Sequence, residues 1–136
     1  MSKLLERLKD ASRSGVYRTS GPGPILEAVP GSGIEVARID PGKRPLFEAI
    51  AEALQFPEWF GRNWDALEDC LTDLSWRKAE GHVLLFESFA EGDELGVLID
   101  VLGAAAEFWA QRRRPFFAVF VDPGRKLSLP DLYREA

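Results

Sequence analysis

FPEWFGRNWDALEDCLTDLSW, residues 56–76, decides how this chain is read. Pro57 biases Phe56 away from helical geometry and so ends any helix before it. The loop that follows carries Trp59 and Phe60, and Gly61 permits a close backbone approach or a positive φ. From Trp64 the pattern turns helical. At about 100° per residue, Asp65, Glu68, Asp69 and Asp73 share an arc of about 140°, and Trp64, Leu67, Leu71 and Leu74 share about 80° on the opposite side. The second set faces a core. Asn63 is suited to cap the helix, because its side chain can accept from a free backbone N–H two or three residues on. Asp65 in the first turn suits the positive end of the helix dipole.

The acidic face needs a reason. Residues 58–76 hold Glu58, Asp65, Glu68, Asp69 and Asp73 against Arg62 alone, a net charge of −4. Like charges at this spacing repel by about 0.2–0.5 kcal/mol per pair. A helix that only had to stay in water would usually interleave Lys or Arg. Three readings are open: a solvated face, a binding surface for a cationic site, or carboxylates working as acid and base. The last is poorly served, since glycosidase-type carboxylates flank a substrate and these lie side by side. A hard cation is another candidate for the same four acids, but they span two turns and lack the loop that wraps calcium.

Composition narrows the classes. The chain has 136 residues, 46% of them apolar, enough for one domain with a real core. A formal charge of −5 argues against a general nucleic-acid binder. Cys70 is the single cysteine, so neither an internal disulfide nor a cysteine-cluster zinc site is available. It falls at the edge of the apolar face, as a buried, inert thiol would. His82 is the single histidine and opens an expected strand, with no Ser or Cys partner in view, which favours a structural role. The opening MSKLLERLKDASRSG has charges throughout and no long apolar run, so neither a signal peptide nor a membrane span is expected.

Outward from the central stretch, the pattern is that of an α/β protein. Residues 34–39 (IEVARI) alternate as a strand; 82–86 (HVLLF) and 116–121 (FFAVFV) are short apolar runs, the mark of buried parallel strands. Helices are expected over 45–54, with Pro45 in the first turn, and over 93–113. Arg112, Arg113 and Arg114 suit the negative end of that last helix. These elements predict a three-stranded parallel sheet packed with helices through right-handed crossovers. The run 116–121, the most apolar, should be the central or most buried strand. Residues 1–33 should add an extra helix over 3–11 and a short strand over 15–19 at one edge, as an N-terminal extension packing on a main domain of residues 34–136. GPGP (21–24) should break regular structure, and PGSG (30–33) reads as a turn rather than a phosphate loop.

Pro57-Glu58-Trp59-Phe60-Gly61, then Asn63, then Asp65-Ala66-Leu67, then Asp69-Cys70-Leu71-Thr72 resembles the signature of the barstar family, intracellular inhibitors of barnase-type ribonucleases. The order of elements over about residues 34–122 is similar too; residues 1–33 and the last dozen lie outside the resemblance. The resemblance implies a cytoplasmic binding protein, not an enzyme, without cofactor or metal. Its partner would be a basic, extracellular-type ribonuclease rather than nucleic acid or membrane. Asp69 would enter the nuclease active site and meet its phosphate-binding cations, and Asp65, one turn earlier, would contact the substrate-recognition region. Trp59 stands for the family's Tyr and would stack on the partner's rim, while Gly61 and Asn63 shape the loop. Trp76 resembles a contacting Trp, with a short insertion before it, and Glu107 a contacting Glu on the last helix. Glu68 replaces a Trp and Arg62 a Glu, which implies a cognate nuclease with its own charge pattern. The rival expectations are an interaction module for another basic protein and a carboxylate-based or metal-dependent hydrolase.

Overall fold

The computed structural model describes residues 2–133; the last three residues of the expected 34–136 unit lie outside them. The chain runs α1 (Lys3–Leu8), a 3-10 turn (Ala11–Arg13), β1 (Gly15–Thr19), α2 (Gly23–Ala28), β2 (Ile34–Ile39), α3 (Leu46–Leu54), α4 (Trp64–Leu71), β3 (Gly81–Phe86), α5 (Asp93–Gln111) and β4 (Phe116–Val121). The sheet has four strands, not three. Its order is β1-β4-β3-β2, and every pairing is parallel. The short segment at 15–19 is a full member: all five of its residues pair with β4, from Gly15 opposite Phe117 to Thr19 opposite Val121.

Both faces of the sheet are covered, which explains the uninterrupted apolar runs. Leu84, Phe86, Phe116, Ala118 and Phe120 point to the side of α3, α4 and α5. Val83, Leu85, Phe117 and Val119 point to the other side, where Leu4, Leu8, Ile25, Val29 and Leu132 meet them. Phe86 and Phe120 stack at 4.6 Å between centroids. Each fully buried Phe contributes about 1.5–3 kcal/mol, so the central pair β3–β4 is the thermodynamic heart of the fold. Residues 1–33 thus supply one edge strand and most of the second layer.

Two local expectations need correction. GPGP does not merely break structure: Pro22 caps α2 and Pro24 lies in its first turn, where a fixed φ costs nothing. The central helix is shorter than its apolar pattern, ending at Leu71 with Thr72 as cap. Leu74 still reaches the core, but from a turn in which its φ is 50°. Of the two roles open to Gly61, the structure shows close approach; the positive φ in this loop is that of its neighbour Arg62, at 53°.

The β1 edge is closed by the C-terminal segment. The Arg18 N–H donates to the Pro130 carbonyl and the Leu132 N–H to the Arg18 carbonyl, each at 2.9 Å. The Arg18 side chain is only 3% exposed and pairs with Asp131 and with Asp122, the latter at 3.7 Å. It also donates to the Asp122 carbonyl at 2.6 Å. Burial pushes the Asp122 carboxyl up, but the Leu127 and Lys126 N–H groups and the Arg18 charge outweigh it and hold it below the usual carboxylate range. Among the described residues no helix is long and apolar enough to cross a membrane.

Candidate partner-binding surface

An aromatic cluster fixes the loop before α4. Phe60 meets Phe56 edge-on at 4.9 Å and Phe47 at 6.2 Å; Phe47 meets Trp64 at 4.9 Å, and Phe56 meets Trp76 at 5.9 Å. With Phe60 drawn inward, the adjacent Trp59 is turned out and is 64% exposed. An indole left this exposed gains little for the fold, and it is the kind of side chain that anchors an interface.

Asn63 does what its position suggests. Its side-chain oxygen accepts the Ala66 N–H at 2.8 Å, and its amide donates to the Gly61 carbonyl at 3.3 Å. Gly61 eases a close approach: a Cβ there would sit 3.2 Å from the Asn63 amide nitrogen, tight enough to shift the capping side chain slightly. The cap sets where α4 begins, and so which way its residues point. Leu67, Cys70 and Leu71 are buried, while Asp65, Glu68 and Asp69 are exposed, with Asp73 on the turn just beyond. None of these four carboxylates has a hydrogen bond or ion pair to a described residue, and no lysine or arginine lies between them in sequence. The surface is therefore a set of free carboxylates beside an exposed indole. It can form charge-assisted hydrogen bonds to guanidinium and ammonium groups on another molecule.

Not every candidate residue joins this surface. Trp76 is half-buried; its indole N–H donates to the Leu54 carbonyl at 2.9 Å, and its ring belongs to the cluster behind the loop. Glu107 is exposed on α5, the helix that packs against α4. Two residues on, the Trp109 indole N–H donates to the Leu71 carbonyl at 2.7 Å and so ties α5 to the C-terminal end of α4. One group that sequence reasoning passed over is Glu48 on α3, whose carboxylate lies 3.7 Å from the Arg62 guanidinium. The signal was there only as an acid on the outward side of the neighbouring helix.

The two groups most able to do chemistry are elsewhere. Cys70 is fully buried behind α4; burial, then the Asp69 and Asp73 charges, push its thiol up and away from the reactive thiolate. His82 is buried at the start of β3. Burial, reinforced by the nearby Arg77 charge, lowers it to about 4, so it is a neutral imidazole near pH 7. Among the described residues no three His, Cys, Asp or Glu side chains gather as a metal cluster.

Residues 34–121, from the first residue of β2 to the last of β4, match the family model described as Barstar (barnase inhibitor). The chain belongs to the barstar family. No curated protein and no solved structure matches it. The matched span contains the loop, α4 and the aromatic cluster, but not β1, α1, α2 or the tail that closes the β1 edge.

Proposed function

We propose that this barstar-family protein is an inhibitor of a barnase-type ribonuclease, acting in the cytoplasm by covering the enzyme's basic active site with α4 and the loop before it. A ribonuclease site holds RNA phosphates with cationic side chains, and carboxylates set side by side on a rigid helix can take the place of those phosphates. The observation that carries this reading is the set Asp65, Glu68, Asp69 and Asp73: four exposed carboxylates without a described intramolecular partner. Asp69, at the centre of the set, would meet the enzyme's phosphate-binding cations, with Asp65 one turn away and Trp59 on the rim. Asn63 and Gly61 act by holding the loop. Glu107, exposed on α5, would add a further contact. Trp76 contributes by supporting the loop from behind. The concentrated charge would also speed encounter with a basic enzyme, an effect that falls with salt.

The test is calorimetric titration into a barnase-type ribonuclease from the same organism, at low and moderate salt. One-to-one binding that weakens with salt is expected. Asp69→Ala should lose about 2–3 kcal/mol, close to a hundredfold in Kd, because it strips the partner's cations of a charged hydrogen-bond acceptor. Absence of binding by the unaltered protein would overturn the reading. It would favour the rival one, a barstar-like interaction module for a different basic protein.

A further inference from the structure

One cation stands inside this acidic surface. Arg62 lies between Gly61 and the Asn63 cap, and its side chain is 67% exposed. It has no hydrogen bond to a described residue. Its single ion pair among the described residues is to Glu48, 3.7 Å away across two exposed side chains. A pair this open and this long contributes little to stability, so the fold does not explain the arginine.

The backbone sharpens the point. Among the described residues, five other than glycine have a positive φ: Gln55, Arg62, Leu74, Arg113 and Arg125. Four of them follow a helix or close a hydrogen-bonded turn. Gln55 caps α3. Arg113 follows the cap of α5, and Leu74 lies in the turn after α4. Arg125 closes a turn through its N–H to the Asp122 carbonyl. Arg62 ends no helix; it precedes the cap of one. Glycine or asparagine would adopt that φ at lower cost, yet the position carries a long, exposed cation, three residues after Trp59.

We infer that Arg62 is a specificity residue: it faces a carboxylate on the rim of the partner and exchanges its loose pair with Glu48 for that contact. This rests on the inhibitor reading above. A partner whose rim was uniformly basic would be repelled at Arg62 and drawn everywhere else on the surface. A partner with an acid at that point converts the one discordant charge into a planar, two-pronged guanidinium–carboxylate contact. The charge pattern recognised is therefore mixed: cations opposite Asp65, Glu68 and Asp69, an anion opposite Arg62. Wrong partners are excluded by the same cation that welcomes the right one.

The sign of one substitution decides. The ribonuclease is titrated with the unaltered protein, Arg62→Glu, Arg62→Gln, Glu48→Gln and Asp69→Asn, each first shown by circular dichroism and thermal melting to be folded. Arg62→Glu should weaken binding at least tenfold and Arg62→Gln about threefold or more. Glu48→Gln, which releases the guanidinium, should leave binding unchanged or tighten it. If Arg62→Glu binds equally or more tightly while Asp69→Asn binds poorly, the rim facing Arg62 is not acidic; this inference falls and the inhibitor reading stands. If Glu48→Gln loses as much as Arg62→Glu, the pair is a loop scaffold and the inference falls too. If the unaltered protein does not bind, both fall together.

Discussion

The molecule keeps its charges in two opposite ways in two places. At the β1 edge, Arg18, Asp122 and Asp131 are packed against one another, with Arg18 3% and Asp122 1% exposed. Asp122 is further held by two backbone N–H groups, from Lys126 and Leu127 at 3.0 and 2.9 Å. On α4 and the turn after it, Asp65, Glu68, Asp69 and Asp73 stand in water with no described partner. A buried charge without partners costs several kcal/mol, so the edge cluster depends on its pairing. The α4 set costs only tenths of a kcal/mol in mutual repulsion, a penalty small enough to be kept for a purpose outside the fold. Damage to the edge cluster should therefore appear as lost stability with the surface chemistry intact, and changes on α4 as lost binding with stability intact.

The largest effect expected is at the β1 edge. Arg18→Ala leaves Asp122 buried beside an empty space and cuts the tail's hold on β1. A loss of about 3–5 kcal/mol is expected, as for other buried pairs deprived of one partner, measured by urea unfolding at pH 7. A loss below about 1 kcal/mol would mean that water reaches Asp122 once the arginine is gone, and the contrast between the two regions would shrink to one of degree.

His82 gives a second handle on the buried groups, through pH. Unfolded, it has its ordinary value of 6.5; folded, burial and then Arg77 bring it to about 4, while Glu35 pulls the other way and Arg114 adds to the lowering. Between these two values the unfolded state binds a proton that the folded state does not. Its contribution is thus fully present above pH 6.5 and is lost as pH falls from 6.5 to 4, up to about 3 kcal/mol in all. Asp122 and Asp131, both held below the usual carboxylate range, should add their losses at lower pH still. Urea unfolding at a series of pH values should show the His82 slope, and His82→Asn should flatten it between pH 6.5 and 4 while leaving the carboxylate losses in place. An unchanged slope in that variant would assign the acid sensitivity to other groups.

What could be read from the sequence follows the range of the interactions. β2 and β4 fall on the residues their patterns mark, 34–39 and 116–121, because alternation and continuous apolarity are local signals. The Asn63 cap is local as well, spanning three residues. β1 was legible as a short strand but not as a full sheet member. It carries a charged residue next to its last, and the groups that make Arg18 acceptable lie 104 and 113 residues further on. Trp76 reads as a surface aromatic because the carbonyl that takes its indole N–H is 22 residues away, at the end of another helix. α2 was hidden by two prolines that start it, and Leu74 stays apolar after the helix ends because burial does not require helical geometry. For the same reason Glu48 could not be joined to Arg62: the turn after α3 brings them together, and no periodicity records it.

The smallest change in stability should carry the sharpest message. Glu68 lies in the second half of α4, three residues after Asp65 and next to Asp69. Glu68→Lys turns a repulsion into an attraction and places a positive charge nearer the negative end of the helix dipole; together these should add about 0.5 kcal/mol. A thermal melt should therefore rise by about 1–3 °C. If the acidic face were only a solvated surface, that gain would come free, and nothing would explain why the helix forgoes it. If the face meets a basic enzyme, the same substitution should weaken ribonuclease binding at least tenfold at low salt, with the loss shrinking as salt is raised. A destabilisation of more than about 1 kcal/mol would instead make Glu68 part of the fold, and the division between locked charges at the β1 edge and free ones on α4 would not hold at that residue.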